Sequence, residues 1–193
     1  RVDGRRQPTV VSARELDVLL TAVPRDALLG QPELAGTLAG ARIFLGSHHE
    51  LRELVAAAAA GVDDLPQPRA ERLRVVLDLV ETGHARTRGD LVALAAAAGR
   101  IPDDPRTLSG LGLAGWDVIP LLVLSNAGTA ELWTGDTTAA EKHLRAAVDT
   151  TQWSGLLRPH LNAASQLALL LAERGDLDAA QAEAQSAVQR ATD

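Results

Sequence analysis

The sequence predicts an all-α fold of antiparallel helix pairs stacked into an α-solenoid, with about four helix–Gly–helix units. Apolar residues make up 46% of the 193-residue chain but aromatic residues only 2%, so the core is built from Ala, Leu and Val. Ala and Leu favour helices. A glycine-centred turn also recurs every 40 to 46 residues, a period typical of stacked helix–turn–helix units.

The recurring turn has the pattern Gly-Asp or Gly-Ser. Arg-Gly-Asp-Leu occurs at 88–91 and 174–177, and related turns read TGD at 134–136 and LGS at 45–47. A glycine closes a helix cheaply in the left-handed conformation, and Asp or Ser caps the next helix. Arg-Gly-Asp is therefore predicted to mark a helix–helix turn, not an adhesion signal. The predicted turn residues are Gly46, Ser47, Gly89, Asp90, Gly135, Asp136, Gly175 and Asp176.

The helical periodicity of apolar residues places an element on each side of these turns. The first helix begins with the capping box of Ser12 and Glu15 and stops at Pro24. A second capping box, Ser47 with Glu50, predicts a helix start after the first turn. The predicted helices are 12–23, 32–45, 48–60, 67–86, 90–99, 117–134, 137–150, 157–174 and 178–191.

The longest predicted break is 100–115, which contains Pro102 and Pro105. We expect one helical-repeat domain over 1–193, or alternatively two subarrays, 12–99 and 116–193, joined by this linker. The linker ends in GLGLAG, which matches G-x-G-x-x-G. A dinucleotide site needs a strand before that pattern, and the preceding proline-broken segment favours a flexible linker instead.

Charge and composition argue against several functions. The net charge of −6 and the lack of a basic cluster predict no direct nucleic-acid binding, and no apolar run is long enough for a membrane span. The chain has no cysteine, which fits a cytoplasmic protein. Adjacent His48 and His49 point in different directions on a helix, so we expect no metal site. The carboxylates form no recognisable acid–base pair, so we expect neither an enzyme nor a cofactor.

Four polar residues in otherwise apolar helices are candidate groove residues: Asn126, Arg158, Asn162 and Gln166. The last three share one helix face at i, i+4, i+8. Asn126 and Gln166 each stand nine residues before a turn glycine, so both amides are predicted on the same side of the array. The alternative is that these residues are plainly exposed or form hydrogen bonds between helices.

The three tryptophans, Trp116, Trp133 and Trp153, supply most of the aromatic surface. They are candidate anchors for a ligand or partner. The alternative, which we favour from the sequence, is that each fills a junction between helices.

Three segments resemble a known class of helical repeat: TAELWTGDTTAAEKHLRAAVD at 129–149, LNAASQLALLLAERGDLDAAQAEAQSAVQRA at 161–191 and PELAGTLAGARIFLGSHHELRELVAAAA at 32–59. They are similar to the tetratricopeptide-like (TPR-like) repeat region of large LuxR-type bacterial transcriptional regulators related to the maltose-regulon activator. The likeness lies in Gly-Asp turns and alanine stripes. The spacing departs from the strict 34-residue tetratricopeptide period.

The resemblance implies a region that receives a signal, from a small-molecule effector or a protein segment, in a concave groove. It also implies an ATP-binding module before the repeats and a helix-turn-helix DNA-binding module after them. The chain begins at Arg1 and contains no G-x-x-x-x-G-K-[ST] phosphate loop, so we expect it to be a piece of such a protein. The alternative is a TPR-like scaffold unrelated to transcription, and a homo-oligomer is compatible with either.

Overall fold

The computed structural model describes residues 12–102, 104–113, 118–150 and 157–192, and every regular element in these ranges is helical. The all-α prediction is therefore confirmed for the described part of the chain. None of the described helices is both long enough and apolar enough to cross a membrane. The elements divide into two compact units, Arg1–Leu77 and Asp78–Asp193, which are taken one at a time.

The first unit contains α1 (Ala13–Thr21), α2 (Arg25–Leu29), α3 (Pro32–Phe44), α4 (Leu51–Ala60), a 3₁₀ turn (Val62–Asp64) and the start of α5 (Arg69–Arg88). The predicted capping box of α1 is confirmed: the Glu15 amide donates to Ser12 Oγ at 3.2 Å, and the Ser12 amide donates to Glu15 Oε2 at 2.8 Å. The core of this unit includes the fully buried Leu38, Leu54 and Ala58.

The start of α4 differs from the predicted one. α4 begins at Leu51, and the residue before it is Glu50, with a left-handed φ of 57°; Ser47 lies outside the helix. The Glu50 carboxylate accepts hydrogen bonds from Arg42 and from Arg25, both at 2.8 Å. These contacts from α2 and α3 occupy the carboxylate that the Ser47–Glu50 capping box requires.

The second unit contains the end of α5, α6 (Leu91–Ala98), α7 (Pro105–Gly110), α8 (Ile119–Thr134), α9 (Thr137–Asp149), α10 (Leu157–Glu173) and α11 (Leu177–Thr192). α8 packs on α9, α10 packs on α11, and α10 also packs on both α8 and α9. α6 packs on α8. One core joins α8 to α11, with the fully buried Leu121, Leu144, Leu167 and Leu170 at its centre.

The short connections between paired helices follow one chemical plan. Each turn glycine has a positive φ: Gly46 71°, Gly89 68°, Gly135 95° and Gly175 82°. After the last three of these, an aspartate side chain accepts from the amide three residues on: Asp90 from Ala93 at 3.0 Å, Asp136 from Ala139 at 3.0 Å and Asp176 from Ala179 at 3.3 Å. Each glycine therefore reverses the chain, and each aspartate begins the returning helix.

The predicted break at 100–115 is not a plain linker. It contains α7, whose first turn is capped by Asp104 accepting from the Thr107 amide at 2.8 Å. Leu108 of α7 is fully buried. The segment lies within the second unit, whereas the boundary between the two units falls inside α5. Within GLGLAG, Gly110 is the last residue of α7, Leu111 and Gly112 form the turn after it, and residues 114–117 lie outside the described part.

Candidate binding groove

A groove of about 370 Å³ lies in the second unit between the α5–α6 turn and α8. Its lining residues are Arg86, Gly89, Leu91, Leu94, Thr129 and Trp133. A volume of this size is within the range of sites that hold small molecules. The lining combines a cation, an aromatic ring and two leucines.

The local sequence explains how these side chains meet. On α8, Asn126, Thr129 and Trp133 follow i, i+3, i+7 spacing and share one face. On the other wall, Gly89 ends α5 and Asp90 starts α6 one residue later. This tight reversal brings Arg86, from the last turn of α5, close to the first turn of α6.

The floor of the groove is made of small and aliphatic side chains. Ala85 of α5, Leu94 of α6 and Ala130 of α8 form one buried cluster. The two alanines allow α5 and α8 to approach α6 closely. The helices that carry Arg86 and Trp133 are therefore held in place by packing beneath them.

Arg86 is a half-buried cation with a neutral partner. Its Nη1 donates to Oδ1 of Asn126 at 2.6 Å, and Asn126 is itself buried, with 8% of its surface exposed. Within the described part of the chain, no carboxylate forms an ion pair with Arg86. Burial lowers the pKa of the Arg86 guanidinium, because the charged form loses hydration without gaining an anion.

Trp133 forms the opposite, open side of the groove. It is 58% exposed, yet its Nε1 donates to Oε1 of Gln166 on α10 at 3.1 Å. This hydrogen bond fixes the orientation of the indole. An oriented and exposed tryptophan presents a large apolar surface whose ordering cost is already met in the free protein.

None of the predicted groove residues whose side chains are described lines the groove, but two of them hold residues that do. Asn126 holds Arg86, and Gln166 holds Trp133. Asn162 Nδ2 donates to Ser125 Oγ at 3.2 Å, so it joins α10 to α8. The side chain of Arg158 lies outside the described part. Asn126, Asn162 and Gln166 all match the alternative of hydrogen bonds between helices. Asn126 and Gln166 differ from Asn162 in that each contacts a residue that lines the groove.

The sequence reasoning missed Arg86, although a signal was available. When the chain is aligned on its four turn glycines, the position three residues before the glycine is Ile43, Arg86, Leu132 and Ala172. A single arginine therefore stands where the other three turns have an apolar residue. A charged residue at a position that is otherwise apolar indicates a role other than packing, such as ligand binding.

The remaining tryptophan predictions concern Trp116 and Trp153, and both lie outside the described residues. His48 and His49 precede α4 and are not part of a helix. Across the described ranges, no group of three or more His, Cys, Asp or Glu side chains is placed to hold a metal ion. The groove can therefore recognise a ligand through the charge of Arg86, the ring of Trp133 and the apolar side chains of Leu91 and Leu94.

Comparisons of the chain with protein-family models, with curated proteins and with solved structures give no match.

Proposed function

We propose that the chain is the signal-sensing or partner-binding region of a bacterial transcriptional regulator, with a TPR-like helical-repeat architecture and no enzymatic activity of its own. The stacking of α10 on both members of the α8–α9 pair supports the repeat architecture. The Gly-Asp turns at Gly89, Gly135 and Gly175 support it further, because they share backbone conformation and capping. We place this activity in the cytoplasm, with no direct contact between this region and DNA.

The observation that carries the binding role is the pairing of Trp133 with Arg86 across one groove. Trp133 is exposed but oriented, and Arg86 is half-buried but lacks an anionic partner among the described residues. Neither arrangement is needed to close the core, which Leu94 and Ala130 already fill beneath them. Both are favourable for a receptor whose ligand covers the ring and approaches the cation.

Thermal unfolding in the presence of a panel of small metabolites tests the receptor role. A ligand that binds only the folded protein stabilises it by RT ln(1 + L/Kd), where L is the free ligand concentration, so the melting temperature rises once the ligand concentration exceeds Kd. We expect at least one compound to do so with the wild-type chain and not with Trp133→Ala. Val92→Ala is the matched control, because Val92 is an exposed residue of α6 that does not line the groove. Stabilisation that survives Trp133→Ala would place binding elsewhere.

The regulator assignment has a separate test in the gene itself. We expect the coding sequence around these residues to specify a phosphate loop upstream and a helix-turn-helix downstream. If both are missing, the TPR-like scaffold unrelated to transcription is the function that remains.

A further inference from the structure

We propose that the groove between Arg86 and Trp133 binds a small organic monocarboxylate with an apolar body, the carboxylate at Arg86 and the body against the indole and leucines. This inference names the ligand class of the receptor site and therefore rests on the proposed function. It comes from the neutral hydrogen-bond partner of the half-buried Arg86 and from the composition of the rest of the lining.

The charge balance at Arg86 differs from that at three arginines that are paired with carboxylates. Arg42, Arg100 and Arg174 each contact at least one carboxylate: Asp17 and Glu50, Asp78 and Glu81, and Glu141 respectively. Arg86 has the amide oxygen of Asn126 instead. A neutral amide accepts one hydrogen bond but does not cancel the positive charge, so a bound carboxylate would supply the missing anion. The planar guanidinium matches a carboxylate with two parallel hydrogen bonds.

The cavity in the first unit provides a contrast. It measures about 70 Å³ and is lined in part by Arg25, Arg42 and Glu50. Both of its arginines already contact Glu50. That cavity is smaller, and the charges of its arginines are already neutralised by Glu50, so we expect no anion site there.

The rest of the lining selects the body of the ligand. Trp133, Leu91 and Leu94 are apolar, and Thr129 adds one hydroxyl. Arg86 is the one cation among the lining residues, which favours a single negative charge over a phosphate or a dicarboxylate. The volume of about 370 Å³ suits a molecule with one ring or a short alkyl chain.

The probe pair for the test is phenylacetate and phenylacetamide, which share the ring and differ in charge. Each is titrated into the ¹⁵N-labelled chain while the tryptophan indole N–H resonances are followed by NMR. Trp133→Phe removes one indole N–H resonance, which assigns that resonance to Trp133. We expect phenylacetate to shift the Trp133 signal with an affinity at least tenfold higher than that of phenylacetamide.

Three variants then test whether Arg86 is the cation that binds the carboxylate. Arg86→Gln removes the cation, and Asn126→Asp places a built-in carboxylate against it with almost no change in shape. We expect each to weaken phenylacetate binding at least tenfold while leaving phenylacetamide unaffected. Arg88→Gln is the matched control: it removes the same charge from an exposed position on the same helix, and we expect less than a twofold change. Melting temperatures verify that each variant is folded.

The outcomes separate the two proposals. Equal binding of both probes, or phenylacetate binding unchanged in Arg86→Gln, would overturn the carboxylate assignment while leaving the groove as a receptor site. An equal loss in Arg88→Gln would also overturn it, since diffuse charge and not Arg86 would then be responsible. If neither probe moves the Trp133 resonance, the carboxylate class is rejected, and the metabolite panel with Trp133→Ala decides the receptor role independently.

Discussion

At the scale of single residues, the second unit buries a histidine against an arginine. His160 of α10 is fully buried, and Arg190 Nη1 of α11 donates to its Nε2. That contact requires an unprotonated Nε2. Burial, and then the positive charge of Arg190, lower the pKa of His160. The folded protein therefore holds this imidazole neutral at pH values where an exposed histidine begins to be protonated.

This pKa shift predicts acid sensitivity in the mildly acidic range. The unfolded chain has a histidine pKa of about 6.5, whereas that of folded His160 is lower. This contribution to stability is therefore fully present above about pH 6.5. It falls at lower pH, as protons bind preferentially to the unfolded state, with a slope of at most about 1.4 kcal/mol per pH unit. Urea unfolding between pH 7.5 and pH 5 measures this. His160→Gln keeps an acceptor without titrating there, and we expect it to flatten the curve; an unchanged slope would contradict the assignment.

The residues also show where sequence reasoning succeeds and where it fails. Caps such as Ser12 with Glu15 are local, so the sequence alone identifies them. The start of α4 at Glu50 depends on Arg25 and Arg42, which lie eight or more positions away in the chain. Arg86 and Trp133 share a groove only because α5, α6 and α8 pack together. No pattern within one helix contains that information.

At the scale of elements, α8 and α9 approach closely because α8 contains Gly128. A Cβ built on this glycine lies 2.7 Å from Cγ of Leu144 and 3.1 Å from the Leu144 backbone nitrogen. Leu144 is fully buried and belongs to the main core. The backbone contact means that side-chain rotation alone cannot relieve the overlap.

Gly128→Val is therefore expected to lower the free energy of unfolding by about 2 kcal/mol, as overpacking of a well-filled interface does. Denaturant unfolding monitored by circular dichroism measures the loss. Gly110→Val is the control, because no atom lies within 4 Å of the equivalent added Cβ. Equal effects of the two substitutions would mean that helix propensity, and not the α8–α9 contact, sets the cost.

The existence and type of the longer helices follow from periodicity, whereas the short helices do not. α2 has five residues and α7 has six, too few to show a helical repeat of apolar positions. Each is held by tertiary contacts instead, as the burial of Leu28 and Leu108 shows. α1 ends at Thr21, before Pro24, as predicted. Pro24 and Pro105 also each lie at the start of a helix that the sequence did not predict.

At the scale of the whole molecule, the net negative charge disfavours binding to polyanions such as nucleic acids. Its net charge is −6, from 25 acidic and 19 basic residues. Several of the described arginines are also engaged with carboxylates, among them Arg42, Arg69, Arg100 and Arg174. These pairs reduce the positive field available to a polyanion.

We therefore expect the chain alone not to bind duplex DNA at physiological salt. Fluorescence anisotropy of a labelled duplex, titrated with protein up to high micromolar concentration, measures this. A salt-dependent rise in anisotropy in the micromolar range would contradict the expectation.

The helices of the second unit have unequal shares of the core. α8 buries nine residues, whereas α11 buries Ala180 alone and leaves Leu177 and Val188 about two-thirds exposed. The opening of a helix end depends on the local contacts that must be broken, so α11 detaches at a lower free energy than global unfolding. In native-state hydrogen exchange, the amides of α11 should lose protection first and those of α8 last. The second unit would then open from α11 inward, so that α11 detaches while the α8–α9 pair is still folded.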